Sequence, residues 1–231
     1  MKQRDYNPVF TKMKLLFFPL SLILFASQAQ DAWKNIYTES AWRERDAWQK
    51  ADAIMKYLDL RFGSKVADIG CHEGYMTMKL SKEVGDLGKV YAVDVEQHRL
   101  DKLKEHLQSR GIQNVIATKG DYDNPHLPAN TLDGALIIDT YHEMDEHDAM
   151  LRHIKNSLRI GGLLVICEPI ANERRELTRS EQERKHELDM KFALEDLEKA
   201  GFRVTFQQDP FINREKIKGD NMWIVVARRV K

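Results

Sequence analysis

The chain has 231 residues, 42% of them hydrophobic, and carries 36 basic against 36 acidic side chains for a formal net charge of zero. That length and apolar content can bury one good core, so a single domain of about 200 residues is expected once a leader is set aside. Neutrality offers no electrostatic reason to hold nucleic acid or an anionic membrane, and neither is expected as a partner.

Residues 1–29 read as a cleavable export signal. Lys12 and Lys14 precede an apolar run from Leu15 to Ala26, and Ser27-Gln28-Ala29 supplies the small residues a signal peptidase reads. Cleavage is expected after Ala29. The run is too short for a permanent membrane span, and no cysteine follows it to take a lipid. The expected location is periplasmic or secreted, with a membrane anchor formed by an uncleaved signal as the alternative. A start at Met13 would keep the same signal without residues 1–12. The leader holds Lys2, Arg4, Lys12 and Lys14 against Asp5, which leaves 32 basic and 35 acidic residues and a net charge of −3.

Trp33 to Leu60 reads helical, with Trp42, Trp48, Ala51, Met55 and Leu58 at near-helical spacing and Arg43-Glu44-Arg45-Asp46 on the other faces. These residues form an N-terminal helical cap, taken as residues 30–62. From residue 63 to 231 short β-rich runs alternate with helical stretches, the pattern of an α/β domain whose parallel sheet is covered on both faces. Strands are expected at 66–69, 90–93, 115–117, 134–138 and 163–167. Leu80 and Val84, then Leu100, Leu103 and Leu107, then Met150, Ile154 and Leu158 supply the helix stripes, with Gly111 and Gly161-Gly162 as stops. Past Gly201, residues 202–206 and 222–227 read as two strands joined by a loop without a helix, a closing antiparallel pair.

The two cysteines fall at strand ends. Cys71 ends the first strand and Cys167 the fifth, with the fourth between them, so two strand spacings separate them by about 9 to 10 Å. That exceeds disulfide reach, and two buried thiols are expected.

The chemistry begins at Val66-Ala67-Asp68-Ile69-Gly70-Cys71-His72-Glu73-Gly74-Tyr75, followed by Val90-Tyr91-Ala92-Val93-Asp94. An apolar strand runs into a glycine-bearing turn, a helix follows, and a second strand ends in a carboxylate about 20 residues past the last glycine. Glycines allow positive φ and close approach of backbone to ligand, and Asp94 can accept hydrogen bonds from both hydroxyls of a ribose. A dinucleotide site needs glycine at the first, third and sixth positions of the turn, whereas Gly70 and Gly74 stand four apart. Asp68 before the turn would repel a pyrophosphate but suits a cationic ligand such as S-adenosylmethionine, with its sulfonium and amino-acid tail.

At these residues the chain resembles the class I S-adenosylmethionine-dependent methyltransferases, whose first motif runs acid-x-Gly-x-Gly-x-Gly. Asp68, Gly70 and Gly74 match it, and His72 stands where the middle glycine usually does. The resemblance implies a Rossmann-like, seven-stranded, mostly parallel sheet with one reversed strand, S-adenosyl-L-methionine as cofactor, and cofactor contacts at Asp68, Gly70, His72, Gly74, Tyr75 and Asp94. It also implies that Asp121, in Gly120-Asp121-Tyr122 after the third strand, accepts from the adenine amino group while Tyr122 packs on the ring; a turn acid capping the next segment is the alternative.

Asp139-Thr140-Tyr141-His142-Glu143 follows the fourth strand, where the reactive methyl lies in the family and where Asp139 borders the cofactor. This run is similar to the Asp-x-Tyr-His-His sequence of a bacterial methyltransferase subgroup that often carries export signals, with Glu143 in place of the second histidine. Arg45-Asp46-Ala47-Trp48-Gln49 resembles that subgroup's Arg-Asp-x-Trp-Gln. Methyl transfer from a sulfonium is an in-line displacement, so the protein supplies alignment and, for a protonated acceptor, a base. His142 is the candidate base, its ordinary pKa near 6.5 leaving a useful neutral fraction, and Tyr141 is placed to hydrogen-bond or line the acceptor pocket. The alternative is that both pack under the cap.

Asp139, His142, Glu143, Asp145 and His147 crowd together, but His142 and His147 stand five apart, which turns them about 140° from each other on a helix. No metal centre is expected from them; an oxygen-ligated ion near Asp139 is the minor alternative. Glu173 to Glu187 reads as a solvated helix with Glu181 and Lys185 at i,i+4, and lacks an aromatic to stack on a base. His186 reads first as a surface histidine and second as an acceptor-pocket residue, since the family's segment after the fifth strand folds over that pocket. Tyr37, Trp42 and Arg45 are candidates to close over the cofactor, with amphipathic packing an equal explanation for the tryptophans. The function expected is methyl transfer from S-adenosylmethionine to a small-molecule acceptor. The alternatives are an exported protein that binds S-adenosylmethionine or a related nucleoside without catalysis, and a nicotinamide oxidoreductase, which the glycine spacing disfavours.

Overall fold

The computed structural model describes residues 40–231. The segment 1–29 expected to be an export signal, together with Trp33 and Tyr37, lies outside the described residues. Among the described residues no helix is long and apolar enough to cross a membrane.

The domain is a seven-stranded sheet of β1 (Lys65–Ile69), β2 (Lys89–Asp94), β3 (Val115–Lys119), β4 (Leu132–Ile138), β5 (Leu158–Ile170), β6 (Phe202–Asn213) and β7 (Asn221–Arg229). Its order is β3-β2-β1-β4-β5-β7-β6. β1 pairs in parallel with both β2 and β4, and β4 with β5, whereas β7 runs antiparallel to β5 and β6. Only strands buried on both faces can be apolar throughout, which is why the central runs show no hydrophobic alternation in sequence. Alternate residues divide between two cores: Val66, Leu136 and Val165 face one, and Ala67, Ile137 and Ile166 the other.

The first core is closed by α1 (Ser40–Trp48), α2 (Ala51–Lys56), α3 (Tyr75–Val84) and α4 (Gln97–Arg110). The second is closed by α5 (His147–Ser157) and α7 (Met190–Lys199), which follow and precede the short α6 (Arg179–Glu183). The cap is therefore two helices, interrupted at Lys50, which takes φ 52. Lys50 spends its ammonium on the Phe211 carbonyl at 2.9 Å, and Tyr57 stacks on Phe206 with ring centres 4.7 Å apart. These contacts bind the cap to β6.

Two expectations about the later chain are corrected. A one-turn helix, α8 (Glu215–Lys218), joins β6 to β7 where a bare loop was expected. The charged stretch 173–187 is not one solvated helix: only Arg179–Glu183 is α-helical, and several of its polar groups bond within the segment while Glu173, Glu176, Arg184, Lys185 and His186 stay exposed. Glu181 caps Thr178, accepting from that residue's backbone N–H at 2.8 Å, instead of pairing along a helix face. Gln182 is fully buried and its side-chain amide donates to the carbonyls of Arg174, Arg175 and Leu177. The Trp223 indole donates to the Leu188 carbonyl at 2.7 Å and pins the segment to β7. Cys71 and Cys167 are free and buried, in agreement with the strand spacing.

Candidate active site

Every strand-end motif meets on the C-terminal edge of the sheet. Leaving β1, Gly70 takes φ 76, His72 φ 51 and Gly74 φ 100. His72 thus holds the left-handed conformation of the missing middle glycine, at a cost of about 1 kcal/mol. Burial and the nearby Arg99 lower its pKa. Its backbone N–H donates to Asp94 Oδ2 at 2.9 Å, while the Glu96 N–H donates to Asp94 Oδ1 at 2.8 Å. Each oxygen of this buried carboxylate retains a second lone pair, an acceptor set that suits a vicinal diol.

Asp68 lies buried one strand away and accepts from the Thr77 hydroxyl at 2.5 Å. Burial raises its pKa to about 6 against the opposing effects of Thr77 and Arg45. The two acids fit a ribose at one end and a cationic group at the other. The glycines have a second reason beyond φ. A Cβ on Gly70 would stand 2.3 Å from the Thr140 side chain, and one on Gly74 would stand 2.5 Å from Leu103.

The Arg-Asp-x-Trp-Gln run lies on and just beyond α1, and its side chains reach this edge. Arg45 sits 4.7 Å from the centre of the Tyr75 ring and interacts electrostatically with Asp139 and Asp68. Asp46 accepts the Tyr75 hydroxyl at 2.7 Å and pairs with Lys79 at 2.8 Å. Trp42 meets the Tyr75 ring edge-on, with centres 6.2 Å apart. The Tyr75 side chain is accordingly the socket of the cap helix. Trp48 carries Arg214 and Lys218 over its ring at 5.2 and 5.1 Å.

At the exit of β3 the Gly120 N–H donates to the Asp94 carbonyl at 3.1 Å and holds the following turn beside Asp94. The Asp121 carboxylate faces His126 Nε2 at 2.7 Å, and Tyr122 is 61% exposed.

The exit of β4 departs most from expectation. Asp139, at φ 54, donates its N–H to the Cys167 carbonyl and pairs its carboxylate with Arg214 at 3.5 Å. The next residues form a 3₁₀ turn, Tyr141–Glu143, that sends neighbours in opposite directions. Tyr141 is fully buried, its hydroxyl donating to Asp196 at 2.8 Å. Burial beside Asp196 raises its pKa far above the ordinary phenol value. It is an anchor of the second core and is not among the residues lining the charged cleft beyond His142.

His142 turns the other way, onto a residue the sequence reading missed. Glu168, fully buried near the end of β5, accepts from the backbone N–H groups of Thr140 at 2.7 Å and Tyr141 at 2.9 Å, and from His142 Nδ1 at 2.6 Å. Burial by itself would lower the pKa of His142. The Glu168 hydrogen bond and the charges of Glu168, Asp139 and Glu143 override it, and the value rises to about 9. The unliganded imidazole is thus mostly protonated at pH 7, with a smaller neutral fraction than the ordinary value would leave. His147, expected not to share an ion with His142, instead places Nε2 2.9 Å from the Tyr141 carbonyl.

Beyond His142 opens a cleft of about 560 Å³ lined almost wholly by charged groups, among them Asp139, Glu143, Arg174, Lys185, His186 and Arg214. His186 arrives here from 43 residues downstream, with Nδ1 2.6 Å from Glu143 Oε1. Arg214 is buried and holds Asp220 as well as Asp139. The cleft adjoins the β1 turn through Thr140, the residue against which Gly70 is packed.

A family model described as "Methyltransferase domain" matches residues 66–162. The solved structure of a SAM-dependent methyltransferase from Aquifex aeolicus superposes with a TM-score of 0.69 at 25% identity, covering 87% of this chain and 98% of that one. The demethylmenaquinone methyltransferase of Staphylococcus saprophyticus is 27% identical over 128 residues, 55% of this chain and 53% of that protein. Its counterpart from Anoxybacillus flavithermus is 25% identical over 138 residues, 60% of this chain and 57% of that protein. The chain spans about half the length of these curated relatives. The match to the methyltransferase domain ends before Glu168, His186 and Arg214, so the cleft is built largely from residues outside it.

Proposed function

We propose that this chain transfers a methyl group from S-adenosyl-L-methionine to a small-molecule acceptor held in the charged cleft beside His142. The observation that carries the proposal is Asp94, a buried carboxylate whose two oxygens are oriented by the His72 and Glu96 backbone N–H groups. It stands beside a turn that places no pyrophosphate-binding glycine triplet before α3. The cofactor supplies an activated methyl on a sulfonium, and the protein's part is alignment.

In this reading Asp94 holds the ribose hydroxyls, Asp68 faces the cationic methionine portion, and Asp121 and Tyr122 take the adenine. Asp139 borders the methyl. The Glu168 contact fixes His142 so that Nε2 is the ring atom offered to the acceptor. Protonated, that atom donates a hydrogen bond to an anionic acceptor; unprotonated, it takes the proton of a neutral one. A cleft this densely charged suits a polar acceptor.

Calorimetric titration with S-adenosylmethionine, S-adenosylhomocysteine and NAD tests the cofactor, and release of S-adenosylhomocysteine in the presence of an acceptor library tests turnover. Saturable binding without release by any acceptor would replace the enzyme with an exported binding protein. Binding of NAD alone would end the proposal.

We further propose export to the periplasm or outside the cell through residues 1–29. N-terminal sequencing of the mature protein is expected to begin at Gln30; a mature chain that still begins with the leader would instead indicate a membrane anchor.

A further inference from the structure

We propose that His142, Glu143 and His186 form a binding site for one divalent ion of the zinc class, open on its remaining side to the cleft. One donor atom from each of His142, Glu143 and His186 lies within 4.8 Å of the other two. Glu143 Oε1 is 3.2 Å from His142 Nε2 and 2.6 Å from His186 Nδ1. Donors in a tetrahedral zinc shell stand about 3.3 Å apart, given bond lengths near 2.0–2.1 Å. Glu143 and His186 are both exposed and can make the small adjustment.

The second observation is independent of these distances. His142 is 6% exposed, and its other ring nitrogen is held at 2.6 Å by the fully buried Glu168, which the backbone N–H groups of Thr140 and Tyr141 also orient. A carboxylate on the far nitrogen fixes the tautomer and aims the near one, the usual support of a ligating histidine. Two imidazoles and one carboxylate are a donor set that favours zinc-class ions over magnesium, and three protein ligands leave a fourth position free.

That position opens where the proposed acceptor sits; with the ion bound, His142 Nε2 is a ligand and the ion, not the imidazole, meets the acceptor, so the direct role given to His142 above is that of the metal-free site. The acceptor class follows, resting on the methyl-transfer reading above: compounds whose methylated oxygen or sulfur can ligate the ion as an anion. Ion binding itself does not depend on that reading.

The test uses the full chain after chelator treatment, titrated with Zn²⁺ and, for its absorption spectrum, with Co²⁺. S-adenosylmethionine affinity and the melting temperature are measured in the same samples. One ion per chain is expected, with Mg²⁺ failing to compete. His186→Ala and Glu143→Gln, both exposed substitutions, should each weaken Zn²⁺ at least about tenfold, and Glu168→Gln about 10- to 100-fold through His142. The absence of saturable Zn²⁺ binding, or Zn²⁺ binding that His186→Ala and Glu143→Gln leave unchanged, would overturn the site. Loss of S-adenosylmethionine binding with Zn²⁺ binding retained would count against the methyltransferase reading alone.

Discussion

His142 Nδ1 stands 2.6 Å from a carboxylate oxygen of Glu168, and the same carboxylate gathers the backbone N–H groups of the turn that carries His142. One buried acid therefore sets both the ring and its loop. In metal-free protein the pair stabilises the fold while the imidazole is charged. With a folded pKa of about 9 above an ordinary 6.5, that stabilisation is fully present below pH 6.5 and is lost as the pH rises through 9. The stability advantage over Glu168→Gln should reach roughly 3 kcal/mol at pH 6 and shrink toward pH 9, as read by urea unfolding of chelator-treated samples. An advantage that grows with pH would contradict the pairing.

Asp68 gives the same pH direction for a different reason, because burial disfavours its charged form. Its folded pKa of about 6 lies above the ordinary 3.8, so the native state binds the proton more tightly and stability falls as the pH rises between those values. Asp68→Asn is expected to be more stable than wild type at pH 7, by up to about 3 kcal/mol, and no more stable below pH 4. The same variant should bind S-adenosylmethionine at least tenfold more weakly. A destabilised variant at pH 7 would show that the Arg45 interaction outweighs the burial.

Asp94→Asn retains an oxygen for one of the two backbone N–H groups but loses the charge and half the acceptor capacity. Cofactor affinity should drop at least about tenfold, roughly 1.4 kcal/mol, with a melting temperature within a few degrees of wild type. His142→Ala is expected to keep cofactor affinity and slow transfer instead. Equal losses of affinity in the two variants would refute this division of roles.

Tyr141→Phe separates the core from the chemistry. Asp196 keeps both of its Arg179 hydrogen bonds, at 2.9 and 2.6 Å, when the hydroxyl is removed. The expected cost is about 1 kcal/mol of stability with unchanged transfer rate. A large fall in rate at constant stability would return Tyr141 to the active site.

Cys71 and Cys167 are buried, and burial raises both thiol pKa values well above the ordinary range. A thiol-specific reagent should therefore find neither in the native protein within minutes and both in denaturant, without prior reduction.

What could be read from sequence follows from how far each signal reaches. Val66–Ile69 and Gly134–Ile138 are central parallel strands, so their apolar runs announce themselves. Gly70, Gly74 and Asp94 fall at spacings set by one strand-turn-helix-strand unit. Glu168 carried no such signal: an acid ending an apolar strand looks like a surface boundary until the β4 turn closes over it. Tyr141 and His142 were assigned together because adjacency in sequence suggested a shared pocket, and the 3₁₀ turn separated them. His186 could not be paired with Glu143 across 43 residues, and the Glu173–Glu187 charges gave no sign that several of them would be spent on one another and on carbonyls.

The contact between Gly70 and Thr140 has a mechanical meaning. With 2.3 Å separating a hypothetical Cβ from the threonine, the cradle after β1 and the bend after β4 are packed so closely that any side chain at position 70 would displace Thr140 and disturb the turn that carries His142.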